Sequence, residues 1–357
     1  MDSLNSSIFV IVISKSEVFR NQFNIIMYNK IEKSFYRMKM IAHEFILKMR
    51  YFSLNYAVYS SAWWIGWYIP SLRRVCMWGF IHKDKYVKAY LKNKYSDIMT
   101  SYASTDKREM KFVHTEDFPI WCFWYQGFKI SPPLVKACLE NLKRKNKNVI
   151  EISKDNIDSF IDIPEYIKQK VSKGEITYTH YSDIIRVSLL AKYGGLWLDS
   201  TCFVSKAIPE SIKQKDFYSC KTINKQPLPL WSNSRWCGWG QGTCYKNYPL
   251  YIFLRDMLYA YWRTEKILID YLLLDALMEI GFDINPMMQK DLQDLPENNI
   301  NRNRLWLLMN EAFQQSKYEE LTKQTWLFKL SYKTKLNTTT KLGEETFYYK
   351  ILTQQLK

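Results

Sequence analysis

One segment constrains the fold of this chain more than any other. It runs from Ser182-Asp183-Ile-Ile-Arg186 through Tyr193-Gly194-Gly195-Leu-Trp-Leu-Asp199-Ser200-Thr201. Asp183 and Arg186 are three residues apart, so a helix puts them on one face. Ile184, Ile185, Leu189 and Leu190 supply the buried face of that helix. Tyr193-Gly194-Gly195 then stops it, because glycine takes the left-handed conformation beyond a helix C-terminus at little cost. Leu196-Trp197-Leu198 reads as a short buried strand with Asp199 at its carboxyl end. Ligands of open α/β sheets bind outside the carboxyl ends of strands. The segment therefore aims two carboxylates and a guanidinium at one crevice. Taken singly, each has a plainer reading: Asp183 and Arg186 as an exposed helix pair, Asp199 as a turn cap. Their order along the chain favours function.

The flanking sequence predicts an α/β sheet. Phe118 to Gly127, with Trp121, Trp124 and Gln126, reads as a first strand entering a glycine turn. Ser131-Pro132-Pro133 starts a helix to about Lys147, since proline is tolerated in the first turn. Its closing cluster, Lys143, Arg144, Lys145 and Lys147, complements the helix dipole and reads first as a solvated face. Val149–Ile152 is the second strand, and a helix follows over Pro164 to Lys173. This β-α-β alternation argues for an α/β fold. The apolar run Ile267 to Ile280 predicts a core helix carrying Asp270 and Asp275. Carboxylates on such a helix face a cleft or pair with a buried base; Asp270 is assigned to the cleft. The basic run Asn298 to Arg304 reads as a loop.

Several chemistries are excluded by pattern. His43, His82, His114 and His180 show no metal spacing, and the seven cysteines include no C-x-x-C pair. An odd number of cysteines in apolar settings suits free thiols in a reducing compartment. No Walker loop, G-x-S-x-G elbow or G-x-G-x-x-G fingerprint is present.

Ser-Asp-x-x-Arg followed by Tyr-Gly-Gly-x-Trp-x-Asp resembles the capsular polysaccharide synthesis glycosyltransferases. These are related to the sugar transferases with a Gly-Gly-x-Tyr-x-Asp-x-Asp motif, and distantly to the clostridial glucosylating toxins. The resemblance covers about residues 115 to 335. It implies a GT-A (Rossmann-like) fold, a nucleotide-sugar donor with uridine as the default base, and a divalent metal, Mn²⁺ or Mg²⁺. It implies catalytic roles for Asp183, Arg186, Asp199 and Asp270, with the metal held by Asp199 and Thr201. It places the nucleobase on Trp124, with Trp121 as the alternate, beside Gln126 and Gly127, and adds Ser182 and Gly195 to the substrate-binding residues. A C-terminal segment at about 325–335 is expected to close over the donor diphosphate through Lys329, Ser331 and Lys333. The plainer reading of that segment is a basic tail. One departure matters: the wider family carries Asp-x-Asp, whereas this chain has Asp199-Ser200-Thr201. A site in which Lys or Arg replaces the cation therefore stays open.

Residues 1–110 are expected to form a helical, basic, aromatic-rich extension, and 111–357 the transferase domain. The formal charge of the chain is +16, and its first 110 residues carry 17 Lys+Arg against 8 Asp+Glu. Tyr51 to Leu72 is uncharged and flanked by Lys48, Arg50, Arg73 and Arg74, but Ser60, Ser61, Trp63, Trp64 and Trp67 make it polar for a spanning helix. Two readings come ahead of a spanning helix: an interfacial contact with anionic lipid, or a soluble helical hairpin. Ile8 to Ile13 is too short for a secretory signal. A cytoplasmic enzyme at the inner face of the membrane is expected, acting on a saccharide or lipid-linked saccharide acceptor without nucleic acid. A phosphosugar transferase and a non-catalytic basic binding protein are the alternatives.

Overall fold

The computed structural model of the chain describes residues 34–104, 110–223 and 230–356. The apolar run Ile8 to Ile13 lies outside them. Contacts divide the chain into two compact units, Met1–Tyr86 and Val87–Lys357. The division falls earlier than the expected boundary at 110, because residues 87–103 pack with later parts of the chain. Tyr95, for example, hydrogen-bonds Thr264 and Glu265.

The first unit is helical: α1 (34–51), α2 (Leu54–Tyr68) and the start of α3 (Met77–Lys94). Ser53 caps α2 by accepting from the Tyr56 amide. At 15 residues α2 is about 22 Å long, and a 3₁₀ turn at Pro70–Leu72 follows it. No helix among the described residues is long and apolar enough to cross a membrane. A Cβ on Gly79 would lie 2.4 Å from that of Ala62, so α2 and α3 cross closely as a hairpin.

The second unit is α/β. After α3 come α4 (Ser96–Ala103), β1 (Lys111–Phe112) and β2 (Ile120–Phe123). Next are α5 (Pro133–Lys145), β3 (Val149–Ile152), α6 (Glu165–Ser172), α7 (Tyr178–Tyr193) and β4 (Gly195–Leu198). The chain continues through β5 (Cys202–Val204), β6 (Tyr218–Ser219), β7 (Gly240–Thr243), β8 (Tyr245–Lys246) and α8 (Pro249–Thr264). It closes with α9 (Leu273–Ile284), α10 (Pro286–Gln293), α11 (Arg304–Leu308), α12 (Gln315–Thr322), β9 (Leu327–Lys329) and α13 (Phe347–Leu352).

The central sheet has the order β3-β2-β4-β7-β6. β2 runs parallel to β3 and β4, while β7 is antiparallel to β4 and β6. Its three parallel strands therefore end on one side, where Trp124 and Asp199 follow β2 and β4. Two glycines fit β4 into place. Gly194 has φ 65° and ψ −150°, so it ends α7 outside the left-handed helical region expected for it. A Cβ on Gly195, at φ +93°, would meet the Pro119 carbonyl at 2.3 Å. β5 and β9 form a separate antiparallel pair within a core that also holds Leu134 and Cys138 of α5 and Phe347 and Ile351 of α13.

Candidate active site

Asp199 is reached from three directions. Its own backbone leaves β4 hydrogen-bonded to the Trp239 carbonyl, and the chain turns through Ser200 and Thr201 into β5. β9 lies against β5 with Lys329 opposite Cys202. That register sets the Lys329 Nζ 2.6 Å from Asp199 Oδ2. Asp199 Oδ1 accepts from the Trp197 Nε1 at 3.0 Å and from an Arg186 nitrogen at 3.1 Å.

Arg186 is the buried hinge of the arrangement. It projects from α7 over the Trp197 ring, with its guanidinium carbon 5.2 Å from the ring centre. Its other terminal nitrogen lies 3.1 Å from Asp183 Oδ1, and Asp183 Oδ2 lies 3.5 Å from His180 Nδ1. Gly238 leaves room for it, since a Cβ there would sit 3.2 Å from the guanidinium. Asp183, Arg186, Asp199 and Lys329 thus alternate in sign along one wall.

Those charges set the protonation states. Burial pushes the Asp199 carboxyl up, but Lys329 and Arg186 outweigh it and hold the group below the usual carboxylate range. Burial pulls Lys329 down, and Asp199 more than restores it. Both groups are therefore charged at neutral pH. Asp275 behaves oppositely: burial, with the Asp183 charge, raises it to about 6 despite a hydrogen bond from Trp236.

The wall faces a cleft of about 810 Å³. Trp124, Gln126, Ser182, Asp183, Arg186, Asp199, Thr201, Lys329, Ser331 and Lys333 all line it. Trp124 meets the Tyr332 ring edge-to-face at 5.8 Å, so the loop after β9 stands beside the expected base platform. Trp121 is a core residue whose Nε1 donates to the Gly194 carbonyl.

Three expected residues lie elsewhere. Gly127 turns the chain at φ 85° just before a 3₁₀ helix and does not line the cleft. Gly195 stands at the amino end of β4, opposite the end that carries Asp199, and its constraint is contact with Pro119. Asp270 is not on a helix, because Ile267 to Leu272 form a non-helical turn before α9, in which Ile269 and Asp270 are buried and Tyr271 is exposed. Its carboxylate accepts from the Leu272 amide and the Trp231 Nε1, which fixes that turn.

The cleft also uses residues that the sequence pattern did not single out. Tyr125 and Tyr178 stack at 4.2 Å between ring centres, and Asn303, Trp306 and Leu307 form the opposite side. The Lys329 amide donates to the Arg302 carbonyl, so that side is placed by the same strand that places Lys329. The available signal is Trp306 two residues after the basic run ends at Arg304, a pattern with no spacing to the motif strand.

A divalent cation held by Asp199 and Thr201 does not fit this donor set. The Lys329 ammonium stands at one Asp199 oxygen, and Arg186 and Trp197 occupy the other. At an effective dielectric of about 20, a dication about 4 Å from an ammonium is opposed by about 8 kcal/mol. Thr201 offers a neutral hydroxyl where a second carboxylate would be needed to offset that repulsion.

Comparison with known proteins gives the following matches. A family model described as "Capsular polysaccharide synthesis protein" matches residues 79–351. The "O-glycosyltransferase braB" of Annulohypoxylon truncatum is 26% identical over 107 residues, 27% of this chain and 25% of that protein. The chain thus spans about a quarter of that relative's length. Among solved structures, "PaToxG Glycosyltransferase" aligns over 69% of this chain and 98% of that chain, at 14% identity and a TM-score of 0.33.

Proposed function

The chain belongs to the capsular polysaccharide synthesis protein family, and from that membership we propose that it is a glycosyltransferase. It moves a hexose from a nucleotide sugar, with UDP as the carrier, to a saccharide or lipid-linked saccharide in surface-polysaccharide assembly. One observation carries this reading. A planar aromatic platform at Trp124, a basic segment at Lys329 to Lys333 and the Asp183–Arg186–Asp199 wall share one cleft beyond the parallel strand ends. A nucleoside diphosphate sugar needs those three surfaces in that combination: a stacking face, cations for phosphate, and paired polar groups for hydroxyls. The mixed sheet with its parallel strands β3, β2 and β4 supports a GT-A arrangement. The glycosyltransferase named among its relatives supports the reaction class.

In this reading Trp124 stacks on the base, while Ser331 and Lys333 hold diphosphate oxygens. Asp183 and Arg186 hydrogen-bond the donor sugar and fix its anomeric carbon for attack. The bond from that carbon to the diphosphate oxygen breaks with its electron pair on the oxygen. The acceptor hydroxyl forms the new bond on the same face and passes its proton to the departing oxygen, so configuration is retained.

The helical extension fits contact with anionic lipid. Phe35, Tyr36, Trp67 and Trp78 are exposed, and the extension also carries Arg37, Arg73 and Arg74. This supports work on an acceptor at the inner membrane face.

The test is a panel of nucleotide sugars, following nucleotide release and thermal stabilisation of the purified chain. Release of UDP from one donor is the expected result, and Asp199→Ala, still folded, should lose it. Release of a nucleoside monophosphate would assign a phosphosugar transferase instead. Salt-sensitive nucleic acid binding with no nucleotide-sugar response would replace the enzyme with a binding protein.

A further inference from the structure

We infer that Lys329 occupies the position, and performs the task, of a divalent cation in this cleft, so that donor diphosphate is bound and released without metal. This rests on the glycosyltransferase reading and adds to it the identity of the charge that receives the leaving group. Asp199 is the carboxylate that such a cation would require, and its Oδ2 already holds an ammonium at 2.6 Å. That ammonium is not a stray surface charge. It is delivered by β9, whose neighbours Phe328 and Leu330 are buried, and it lies 5.8 Å from the Trp239 ring centre. The β5–β9 register and the Leu330-to-Thr201 backbone bond fix the strand from which it projects. Arg186 secures the other oxygen, so Asp199 orients Lys329 while both remain charged.

The chemistry is balanced by the same groups. Lys329, with Lys333 on the following turn, faces the cleft in which the diphosphate would lie. As the anomeric carbon–oxygen bond breaks, the electron pair moves to a phosphate oxygen beside the ammonium, and the acceptor proton then settles on that oxygen. A lysine supplies this as a point charge. Thr201, standing where the wider motif carries its second carboxylate, is consistent with the change. An extra negative charge there would serve a dication and compete with the phosphate for Lys329.

The experiment is calorimetric titration of the full chain with UDP, GDP and ADP, each in excess EDTA and again with Mn²⁺. The expected result is binding of one diphosphate whose dissociation constant changes less than about twofold between the two conditions. Lys329→Ala should weaken that binding by roughly tenfold or more in EDTA, as removal of a charge-assisted contact does. Lys329→Asp should bind only when Mn²⁺ is supplied. Electron paramagnetic resonance of Mn²⁺ should show capture by Lys329→Asp and not by the wild-type chain. Circular dichroism confirms folding of both variants, and the wild-type comparison needs neither. Wild-type binding that requires Mn²⁺ would overturn the inference and leave the glycosyltransferase reading standing. No diphosphate binding in either condition would overturn both.

Discussion

Replacing Asp275 by Asn should stabilise this protein at neutral pH, and the size of the effect follows from the site. Asp275 lies in the first turn of α9, where an anion is normally favoured. Burial and the neighbouring Asp183 charge nonetheless raise its carboxyl from 3.8 to about 6. That is about 2 units, or about 3 kcal/mol at 1.36 kcal/mol each. The sign is set by which state binds the proton more tightly. Here the folded chain does, so between about pH 4 and 6 it keeps a proton that the unfolded chain releases. Stability from this group is therefore present below that window and lost as pH rises through it. Asn cannot ionise, yet its side-chain oxygen still accepts from Trp236 Nε1, which donates to Asp275 Oδ1 at 2.7 Å. Urea unfolding of both proteins across that range gives the difference directly, other carboxylates cancelling. The wild type should fall behind Asp275→Asn by about 2 to 3 kcal/mol by neutral pH. Parallel pH profiles, or a variant less stable at neutral pH, would refute the reasoning.

Trp124→Ala should weaken nucleotide binding by about 1–3 kcal/mol while leaving the thermal midpoint nearly unchanged, read by titration and melting of one preparation. Gly195→Ala should give mainly insoluble chain, because its Cβ would stand 2.3 Å from the Pro119 carbonyl; a soluble variant with wild-type melting would contradict that contact. Arg186→Met leaves two carboxylates without their shared cation, and a cost of about 3–5 kcal/mol is expected in urea unfolding. All seven cysteines are buried free thiols, so a thiol reagent should label them only after denaturant is added.

The parts legible in the sequence are those whose signals are local. Val149–Ile152 is strand β3 because a short β-branched run is bounded by turn residues. Pro133 and Tyr193-Gly194 mark a helix start and a helix stop. Of the run Ile267 to Ile280, the part from Leu273 onward is helical as expected, but Ile267 to Leu272 are not, because apolar residues can pack without being helical. There the Tyr261 hydroxyl donates to the Ile267 carbonyl and accepts from the Ile269 amide, satisfying the turn from a side chain on another element. Asp183, Arg186 and Asp199 were readable as a group because one helix and one strand carry them. The contact between Lys329 and Asp199 was not, since it depends on the pairing of β5 with β9. Gly195, expected at the ligand, instead owes its lack of a side chain to the close approach of Pro119.

The β5–β9 pair also dictates when the cleft can exist during synthesis. Lys329 and Asp199 are separated by 130 positions, so every strand of the central sheet leaves the ribosome well before the lysine does. A nascent chain halted ahead of Leu327 can pair those strands, yet it carries Asp199 with Arg186 and without its second cation, Lys329. Contacts this distant in sequence form late and slowly. Binding competence is thus timed to the emergence of β9, after the sheet that supports it.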